Sequence, residues 1–422
     1  MWGLCRPRLL FRQGDAMRCL SLFVLLTTAT ATVAAGEDRP FLERQVLFKA
    51  GDAHYGGYRI PSVVETANPG TVLAFAEARQ ALDGFGVPFP DRAVTEILMR
   101  RSVDNGRTWS KQRVVVNSAD VTTGNPCAVL DRRTGSVFLV FCRGVKPAIK
   151  GGINKSAHVI KSTDHGLTWS KPVDITDSAK GKSWKYVFTG PGSGIQLQSG
   201  RLLIPCSGEF GPQFSYLLYS DDHGETWKRT PPLRGADSLD PAITWQNLGK
   251  KPLPYSADNV TDEPGVVELA DGRVYFNARS RLEVGHRGYA YSDDGGLTWS
   301  KVRFHPQLPE SVVDGGLARH PDQNVLLISR PTYRYKKGMP YGGVWSHRRN
   351  LTLSVSSDNG KTWPVSRLIH KGPAAYSDLA VLKNGDILCL FECGKEFRYE
   401  TLTLARFNLA WTTTGEQQSA DP

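Results

Sequence analysis

After residue 35 the 422-residue sequence lacks any apolar run long enough to cross a membrane, which excludes a later spanning helix. Its cysteines and nine histidines never fall at metal-ligand spacing, so we expect no metal site and no cofactor. Lys and Arg are dispersed, without a basic run or a base-stacking motif, and we expect no nucleic-acid partner. Helical periodicity is nearly absent, which excludes a helical bundle.

The first 35 residues have the pattern of a secretory signal. Arg12 and Arg18 precede the apolar run 19–26, and small residues follow at 33–35. This run is short and diluted by Thr, so we expect residues 1–35 to be cleaved; an uncleaved membrane anchor is the alternative. Cleavage lowers the formal net charge from +11 to +8, because 48 basic and 40 acidic residues remain. An acidic glycan substrate accounts for this basic excess as well as nucleic acid would.

The remaining chain has other features of secreted proteins. Sequons begin at Asn154, Asn259 and Asn350, which fits passage through the secretory pathway. Five cysteines remain, an odd number that leaves at least one thiol unpaired: Cys127, Cys142, Cys206, Cys389 and Cys393. The last two are four residues apart on one predicted strand, about 13 Å from each other and too far to bond.

A repeat of the form Ser-x-Asp-x-Gly-x-Thr-Trp occurs five times without a mismatch. The copies begin at Ser102, Ser162, Ser220, Ser292 and Ser356. Their spacings of 60, 58, 72 and 64 residues match one four-stranded propeller blade with its loops. Each copy follows an alternating or apolar run and therefore predicts a hairpin turn. In that turn we expect the Asp to accept amide hydrogen bonds, the Gly to supply positive φ, and Thr-Trp to restart a strand whose indole packs on the blade.

Composition and short apolar runs predict an all-β fold. The 42 Gly, 26 Pro, 10 Trp and 14 Tyr suit many short strands joined by turns. Strands are predicted at 71–77, 136–142, 201–206, 273–279, 324–329, 379–382 and 387–391. Five turns plus the strands at both chain ends predict a six-bladed β-propeller, with the first and last strands closing one blade. Residues 36–422 contain no linker and are expected to form one domain with a loose tail at 412–422.

Over nearly all of the mature chain, the sequence resembles the sialidase family, in particular animal lysosomal-type and bacterial exo-sialidases. The motifs that carry the resemblance are Tyr58-Arg59-Ile60-Pro61, Phe75-Ala-Glu-Ala-Arg79, the five Asp-box repeats, Asp262-Glu263-Pro264, Asn277-Ala-Arg279, Arg348-Arg-Asn-Leu-Thr352 and Ala375-Tyr376-Ser377-Asp378-Leu379. An Arg-Ile-Pro motif followed by repeated Asp boxes is a specific combination. It implies an exo-α-sialidase that hydrolyses terminal sialic acid from glycoproteins, glycolipids and oligosaccharides with retention of configuration.

The resemblance also assigns a set of arginines to substrate binding. It makes Arg59, Arg279 and Arg348 the triad that binds the substrate carboxylate. Planar guanidinium groups that stay charged suit this role, because they bind carboxylates in a bidentate manner. Arg349 and Arg334 are nearby basic alternatives to Arg348.

Three further residues receive catalytic roles from the resemblance, namely Tyr376 as nucleophile, Glu263 as its general base and Asp91 as general acid and base. A neutral phenol approaches the anionic sugar without the repulsion that a carboxylate would meet. We expect nearby arginines to lower the pKa of Tyr376. Asp83 lies with Asp91 in the Gly-rich loop 80–91 and is the alternative to it. Arg79 resembles the family arginine that contacts a ring substituent of the sugar.

Three other functions fit parts of the same pattern: a trans-sialidase, a sialic-acid-binding propeller without turnover, and a propeller that serves only as a scaffold. The first needs an aromatic acceptor shelf. The second requires the loss of a catalytic residue, whereas all the expected types are present, and the third makes the arginine set accidental. The resemblance further implies lysosomal residence and a carboxypeptidase partner. The tail 412–422 lacks a tyrosine-based sorting signal, which leaves secretion or the cell surface open.

Overall fold

The structure, a computed structural model, describes residues 39–81, 90–91, 93–117, 121–144, 155–211, 213–243, 260–280, 282, 284–332 and 348–414. Outside these described residues lie the signal segment 1–35, Asp83, Arg334, Asn154, Asn259 and 415–422. In the part that is described, no helix is long and apolar enough to cross a membrane.

Antiparallel strands make up nearly all of the regular secondary structure of the described chain. The first sheet contains β2 (Gly57–Glu65), β3 (Val72–Arg79), β4 (Thr95–Ser102) and β5 (Arg113–Val116). The second contains β6 (Thr123–Leu130), β7 (Val137–Arg143), β8 (Ser156–Ser162) and β9 (Val173–Asp174). The third contains β10 (Tyr186–Thr189), β11 (Ile195–Gln196), β12 (Leu202–Glu209), β13 (Gln213–Ser220) and β14 (Lys228–Arg229).

Two further sheets follow in the chain. The fourth sheet contains β15 (Asp262–Glu268), β16 (Val274–Arg279), β17 (His286–Ser292) and β18 (Arg303–Pro309). The fifth has seven strands, namely β19 (Gly316–His320), β20 (Val325–Pro331), β21 (Arg349–Ser356), β22 (Val365–Val381), β23 (Ile387–Cys393), β24 (Thr401–Phe407) and β1 (Leu42–Lys49). The helices within the described ranges are short: α1 (Thr176–Ala179), α2 (Leu409–Thr413) and two 3₁₀ turns at Asp52–His54 and Ala236–Ser238.

The two ends of the chain meet in the seven-stranded sheet. β1 pairs with β24 from Leu42 opposite Phe407 to Lys49 opposite Thr401. This confirms the prediction that the first and last strands pair. β22 is 17 residues long, and its first half pairs with β21 while its second half pairs with β23.

The hydrophobic core lies between neighbouring sheets. Alternate residues of β3 point to opposite faces, as the strand repeat requires. Val72 and Ala74 pack with Leu388 and Leu404 of the seven-stranded sheet. On the other face, Leu73 and Phe75 pack with apolar residues of β7 and β8 in the second sheet. Each face of the first sheet is therefore covered by a different neighbour.

The repeated motif forms a turn fixed by its aspartate. In the second copy, Asp164 accepts hydrogen bonds from the amide and the hydroxyl of Thr168 at 2.8 and 2.5 Å. The hydroxyl of Ser162 also donates to Asp164, at 2.8 Å. These hydrogen bonds, the Thr168 hydroxyl first, hold the pKa of Asp164 at about 2. Gly166 has φ +84°, and a Cβ there would lie 2.6 Å from Leu73. The predicted roles of Asp and Gly in the turn are thus confirmed for this copy.

One detail of the turn prediction is wrong. After Trp169 the next strand, β9, begins only at Val173, so Thr-Trp does not itself restart a strand in this copy. The indole instead packs edge-on against Phe75 in the preceding sheet, with ring centroids 5.8 Å apart. Trp227 packs against Phe138 of the preceding sheet in the same way. These tryptophans therefore join neighbouring sheets.

Six of the seven predicted strands are found within three residues of their expected ends. The seventh, 379–382, lies at the end of the much longer β22, so its predicted start is wrong. The tail prediction is wrong for Thr412, which is buried in α2 behind the N-cap of Asn408. Among the described residues, all five cysteines are buried and free, which agrees with an unpaired thiol but shows more than one.

Candidate active site

Irregular strand pairing marks one end of the sheets. The register shifts between Arg59 and Ser62 in β2, Gly124 and Cys127 in β6, Asp262 and Pro264 in β15, and Ala374 and Ser377 in β22. Ile60, Asn125 and Glu263 have positive φ values of 54°, 55° and 41°. Such backbone costs about 1–3 kcal/mol per residue and persists where the surroundings demand it, often at functional sites.

Three arginines that are far apart in sequence surround the side chain of Tyr376. Nη1 of Arg279 donates to the Tyr376 hydroxyl at 2.9 Å. The guanidinium carbons of Arg59 and Arg348 lie 4.9 and 5.5 Å from the centre of the Tyr376 ring. All three arginine side chains are buried, with residue exposures of 7% or less. The arginines of the predicted triad are therefore brought together around one phenol.

Buried carboxylates orient two of these arginines. Glu392 accepts from Nε and Nη2 of Arg59 at 3.0 and 3.2 Å. Asp262, opposite Arg279 in the β15–β16 pair, accepts from its Nε and Nη2 at 2.8 and 2.7 Å. Burial opposes the charge of both arginines, but Glu392 and Asp262 raise their pKa values well above the ordinary range. Both guanidinium groups therefore remain charged inside the protein.

Glu392 also stabilises the irregular backbone. Its two carboxylate oxygens accept from the amides of Ile60 and Tyr376, each at 3.0 Å. One carboxylate thus contacts the bulges of β2 and β22 as well as Arg59. This combination of contacts explains how the positive φ of Ile60 persists.

Arg348 precedes β21 and is held by neutral groups. Its Nη2 donates to the carbonyl of Val312 at 2.5 Å, and its Nη1 donates to the hydroxyl of Tyr399 at 3.4 Å. Arg349, the neighbouring alternative, is exposed. Of these two arginines, only Arg348 lies beside Tyr376.

The hydroxyl of Tyr376 donates to Glu263, whose two carboxylate oxygens lie 2.7 and 2.8 Å away. Nη1 of Arg279 lies 2.6 Å from the same carboxylate. Burial and the charge of Glu263 raise the pKa of Tyr376 well above its ordinary value, and the arginines only partly offset them. The expectation of a lowered pKa is wrong, because it left out burial and the adjacent carboxylate. The resting phenol is neutral, with an acceptor in place for its proton.

Asp91 and Arg79 form the opposite side of this arrangement. Asp91 accepts from Nη1 of Arg79 at 2.6 Å and from Nη1 of Arg59 at 3.3 Å. Desolvation opposes the charge on Asp91, but Arg79 and Arg59 lower its pKa to about 2. Arg79 is fixed in turn by Glu77, which accepts from its Nε at 2.8 Å. Glu77 also accepts from the bulge amide of Asn125 at 2.6 Å.

The structure adds residues that sequence reasoning did not assign to the site: Glu77, Asp262, Glu392 and Tyr399. Two of them, Glu77 and Asp262, stand inside motifs already singled out, so their proximity to Arg79 and Glu263 was a usable signal. Glu392 and Tyr399 belong to no quoted motif. In the described part of the chain, no group of three or more His, Cys, Asp or Glu side chains is arranged to hold a metal ion.

A charged arginine cluster around a phenol with its own acceptor suits the binding and cleavage of an anionic sugar. Together with the all-β fold it defines a class, the glycoside hydrolases. Residues 90–389 match the family described as "BNR repeat-like domain". Relatives of this chain include sialidases from bacteria and animals. The chain belongs to the exo-sialidase family.

Two relatives illustrate the range of this similarity. A sialidase of Micromonospora viridifaciens is 30% identical in an alignment 446 positions long, which covers 95% of this chain and 61% of that protein. Sialidase-3 of Mus musculus is 26% identical, with coverage of 87% of this chain and 95% of that protein. The chain thus spans about three-fifths of the length of the first relative and nearly all of the second.

Solved structures agree with the fold. The Hadza microbial sialidase Hz136 superposes with a TM-score of 0.68 at 25% identity, covering 88% of this chain and 69% of that chain. The intramolecular trans-sialidase of Ruminococcus gnavus superposes with a TM-score of 0.66 at 17% identity, covering 87% of this chain and 98% of that chain. The predicted all-β fold is confirmed.

Proposed function

We propose that the protein is a retaining exo-α-sialidase that removes terminal sialic acid from glycoproteins, glycolipids and oligosaccharides. The observation that carries this proposal is the convergence of Arg59, Arg279 and Arg348 around Tyr376, with Glu263 at the phenol. Three fixed guanidinium groups match one carboxylate on the anomeric carbon. Family membership supports the same substrate.

Substrate binding starts with the arginine triad. The sugar carboxylate takes the guanidinium edges that face Tyr376, and on Arg59 it competes with Asp91. The incoming negative charge weakens the hold of Arg59 on Asp91, so the pKa of Asp91 rises from about 2 towards a value that permits protonation. Binding of the correct anion therefore prepares the acid. Arg79 keeps Asp91 at the site.

In the first chemical step, the hydroxyl oxygen of Tyr376 forms a bond to the anomeric carbon and its proton passes to Glu263. The glycosidic bond breaks, and its electron pair goes to the leaving oxygen, which takes the proton of Asp91. Burial makes the phenol a weak acid, so the direct hydrogen bond to Glu263 is essential to this step. The positive charge that develops on the ring is stabilised by the fixed carboxylate and the phenolate.

The second step returns the enzyme to its starting state. Water gives a proton to the Asp91 carboxylate and attacks the anomeric carbon. The bond to Tyr376 breaks, and the phenol recovers its proton from Glu263. Two displacements at one carbon retain its configuration.

The proposal is tested with a fluorogenic α-sialoside and three proteins: wild type, Tyr376→Phe and Asp91→Ala. We expect turnover by wild type and loss of at least about a hundredfold in kcat for each variant. The configuration of the first-released sugar, followed by NMR, reports retention. A wild-type protein that binds sialic acid without turnover supports the lectin alternative instead.

Transfer to a sugar hydroxyl is the second candidate, because one structure of similar fold is an intramolecular trans-sialidase. Analysis of the products by mass spectrometry separates the two. Free sialic acid indicates hydrolysis, whereas a product one water lighter indicates attack by the sugar's own hydroxyl.

The proposal extends to the architecture of residues 36–422 as a single catalytic domain with six blades. Four sheets of the described chain supply four blades, and the seven-stranded sheet supplies two that share β22. We also propose cleavage of residues 1–35, lysosomal residence and a carboxypeptidase partner, with secretion or the cell surface as alternatives. Co-purification from lysosomal extracts and sequencing of the mature N-terminus test these points.

A further inference from the structure

Tyr399 is a second tyrosine beside the arginines, and it lies in the turn between β23 and β24. Its ring lies 4.2 Å from the guanidinium carbon of Arg59, closer than the ring of Tyr376 does. Its hydroxyl lies 3.4 Å from Nη1 of Arg348. One side chain therefore contacts two arginines whose positions in the sequence differ by almost 290 residues.

The two tyrosines and Arg59 form a layered arrangement. Arg59 has the Tyr376 ring and the Tyr399 ring within 5 Å of its guanidinium carbon. Tyr399 also packs in one apolar cluster with Ile60, Val313, Ala375 and Tyr376. Tyr399 is only 8% exposed, so this contact is shielded from water. The attraction between a cation and an aromatic ring is stronger in such a shielded position.

The turn that carries Tyr399 is fixed by its own hydrogen bonds. Glu400 accepts from the amides of Lys395, Glu396 and Phe397 at 3.0, 2.8 and 2.6 Å. Phe397 packs edge-on against the Tyr399 ring, with centroids 5.1 Å apart. A turn held in this way limits the movement of Tyr399 relative to the arginines.

The charges around Tyr399 agree with this geometry. Burial opposes ionisation of the phenol, but Arg59 and Arg348 outweigh it and lower the pKa of Tyr399. The pKa of Tyr376 is raised, because it faces the carboxylate of Glu263. The two tyrosines of the site therefore have opposite electrostatic surroundings, and the hydroxyl of Tyr376 donates to Glu263.

We propose that Tyr399 is a positioning residue for carboxylate recognition, which holds Arg59 and Arg348 at the separation that one substrate carboxylate requires. This inference rests on the proposed sialidase function. Glu392 sets the rotation of Arg59, and the carbonyl of Val312 anchors Arg348, but Tyr399 contacts both arginines. Its contacts are with two guanidinium groups of the predicted carboxylate-binding triad, so its effect is expected to fall on binding.

Two substitutions separate the contributions of the ring and the hydroxyl. Tyr399→Phe keeps the ring over Arg59 and removes the hydroxyl, and we expect KM to rise about threefold. Tyr399→Leu removes both, and we expect KM and the dissociation constant of free sialic acid to rise about tenfold or more. In both variants we expect kcat to change less than twofold or so, because the chemical step is untouched.

Tyr216→Phe is the matched control. Tyr216 is also a buried tyrosine, and its hydroxyl donates to the carbonyl of Ala179 at 2.8 Å, away from the arginines. We expect this control to lower the melting temperature without a change in KM or in sialic-acid binding. If Tyr399 has only a structural role, its variants will likewise have a lower melting temperature with unchanged KM and sialic-acid binding.

Calorimetric binding of free sialic acid needs no turnover, so it judges the inference even if wild type proves inactive. Weaker binding in the Tyr399 variants, with kcat preserved where activity is present, supports it. The inference is overturned if Tyr399→Phe leaves KM and sialic-acid binding unchanged and Tyr399→Leu either leaves both unchanged or does not fold. A fall in kcat as large as the rise in KM, seen in Tyr399→Phe as well as in Tyr399→Leu, also overturns it. A wild type that neither cleaves nor binds sialic acid ends the proposed function instead.

Discussion

The side chains of Asp91 and Arg59 are within hydrogen-bonding distance, 3.3 Å between Oδ1 and Nη1. The carboxylate proposed to act as the acid therefore contacts an arginine proposed to bind the substrate anion. The Asp91 side chain is 66% exposed, so the substrate carboxylate can reach this pair and displace Asp91 from Arg59.

This relationship makes a prediction for Asp91→Asn. Removing the competing charge frees Arg59, so we expect free sialic acid at neutral pH to bind about threefold to tenfold more tightly. The same variant loses the acid, and its kcat falls by at least about a hundredfold. Calorimetry and steady-state kinetics measure the two effects. Weaker binding of sialic acid by the variant contradicts the competition.

Arg348 and Arg349 are a matched pair, since they are adjacent in sequence but one is buried and the other exposed. Lys keeps the charge but has no planar fork, so Arg348→Lys is expected to raise KM about tenfold or more. Arg349→Lys is expected to leave KM and kcat unchanged. Kinetics with the fluorogenic sialoside compare them, and equal effects of both substitutions would count against the assigned triad.

The buried carboxyl group of Glu310 is expected to contribute more stability at pH 5 than at pH 8. Burial raises the pKa of Glu310 to about 8, although Arg287 partly opposes this. Its Oε1 accepts from the amide of Ser280 at 2.9 Å, while its Oε2 is 3.7 Å from Arg287. The folded state therefore binds a proton between about pH 4.5 and 8 that the unfolded state releases, and stability falls as the pH rises through this window.

Burial acts on Asp378 in the same direction, raising its pKa to about 6. Burial lowers the pKa values of His158, His305 and His370, which acts in the opposite sense, so the contribution of Glu310 is measured against Glu310→Gln. In denaturant titrations we expect the free energy of unfolding of wild type, relative to Glu310→Gln, to be at least about 1 kcal/mol larger at pH 5 than at pH 8. A wild-type protein whose stability relative to Glu310→Gln does not fall from pH 5 to pH 8 contradicts the prediction.

Adjacent aspartates in the fourth repeat test the role of the turns. Asp294 accepts from the amide and hydroxyl of Thr298 at 2.9 and 2.6 Å and from the hydroxyl of Ser292 at 2.7 Å. Asp294→Ala is expected to lower the free energy of unfolding by about 1–3 kcal/mol. Both aspartates are exposed, and Asp293→Ala is the control that should change little. KM should stay constant in both, and a large change in KM for Asp294→Ala would assign the turn to the site.

Most of the fold could be predicted from the repeats and the alternating runs. Strands such as β7 and β16 could be predicted because their apolar residues are continuous and bounded by turn residues. The pairing of β1 with β24 followed from the need to cover sheet edges. The gap between Trp169 and β9 could not be predicted, because the indole is positioned by Phe75 in another sheet.

The residues of the site could be named from motifs, but their environment could not. Ile60 adopts a positive φ at a bulge that the distant Glu392 stabilises by accepting from its amide. The pKa of Tyr376 depends on burial and on Glu263, which lies 113 positions away. Tyr399 stands outside every motif, so only the folded chain places it against Arg59.

The most direct measurement is peptide mapping after inactivation by a sialic acid analogue with fluorine next to the anomeric carbon. Fluorine slows the release step, so the covalent intermediate accumulates. The account predicts one sugar per protein, attached to the peptide that contains Tyr376 and absent from Tyr376→Phe. An active wild type in which the label attaches to another residue, or in which no label forms, contradicts the account.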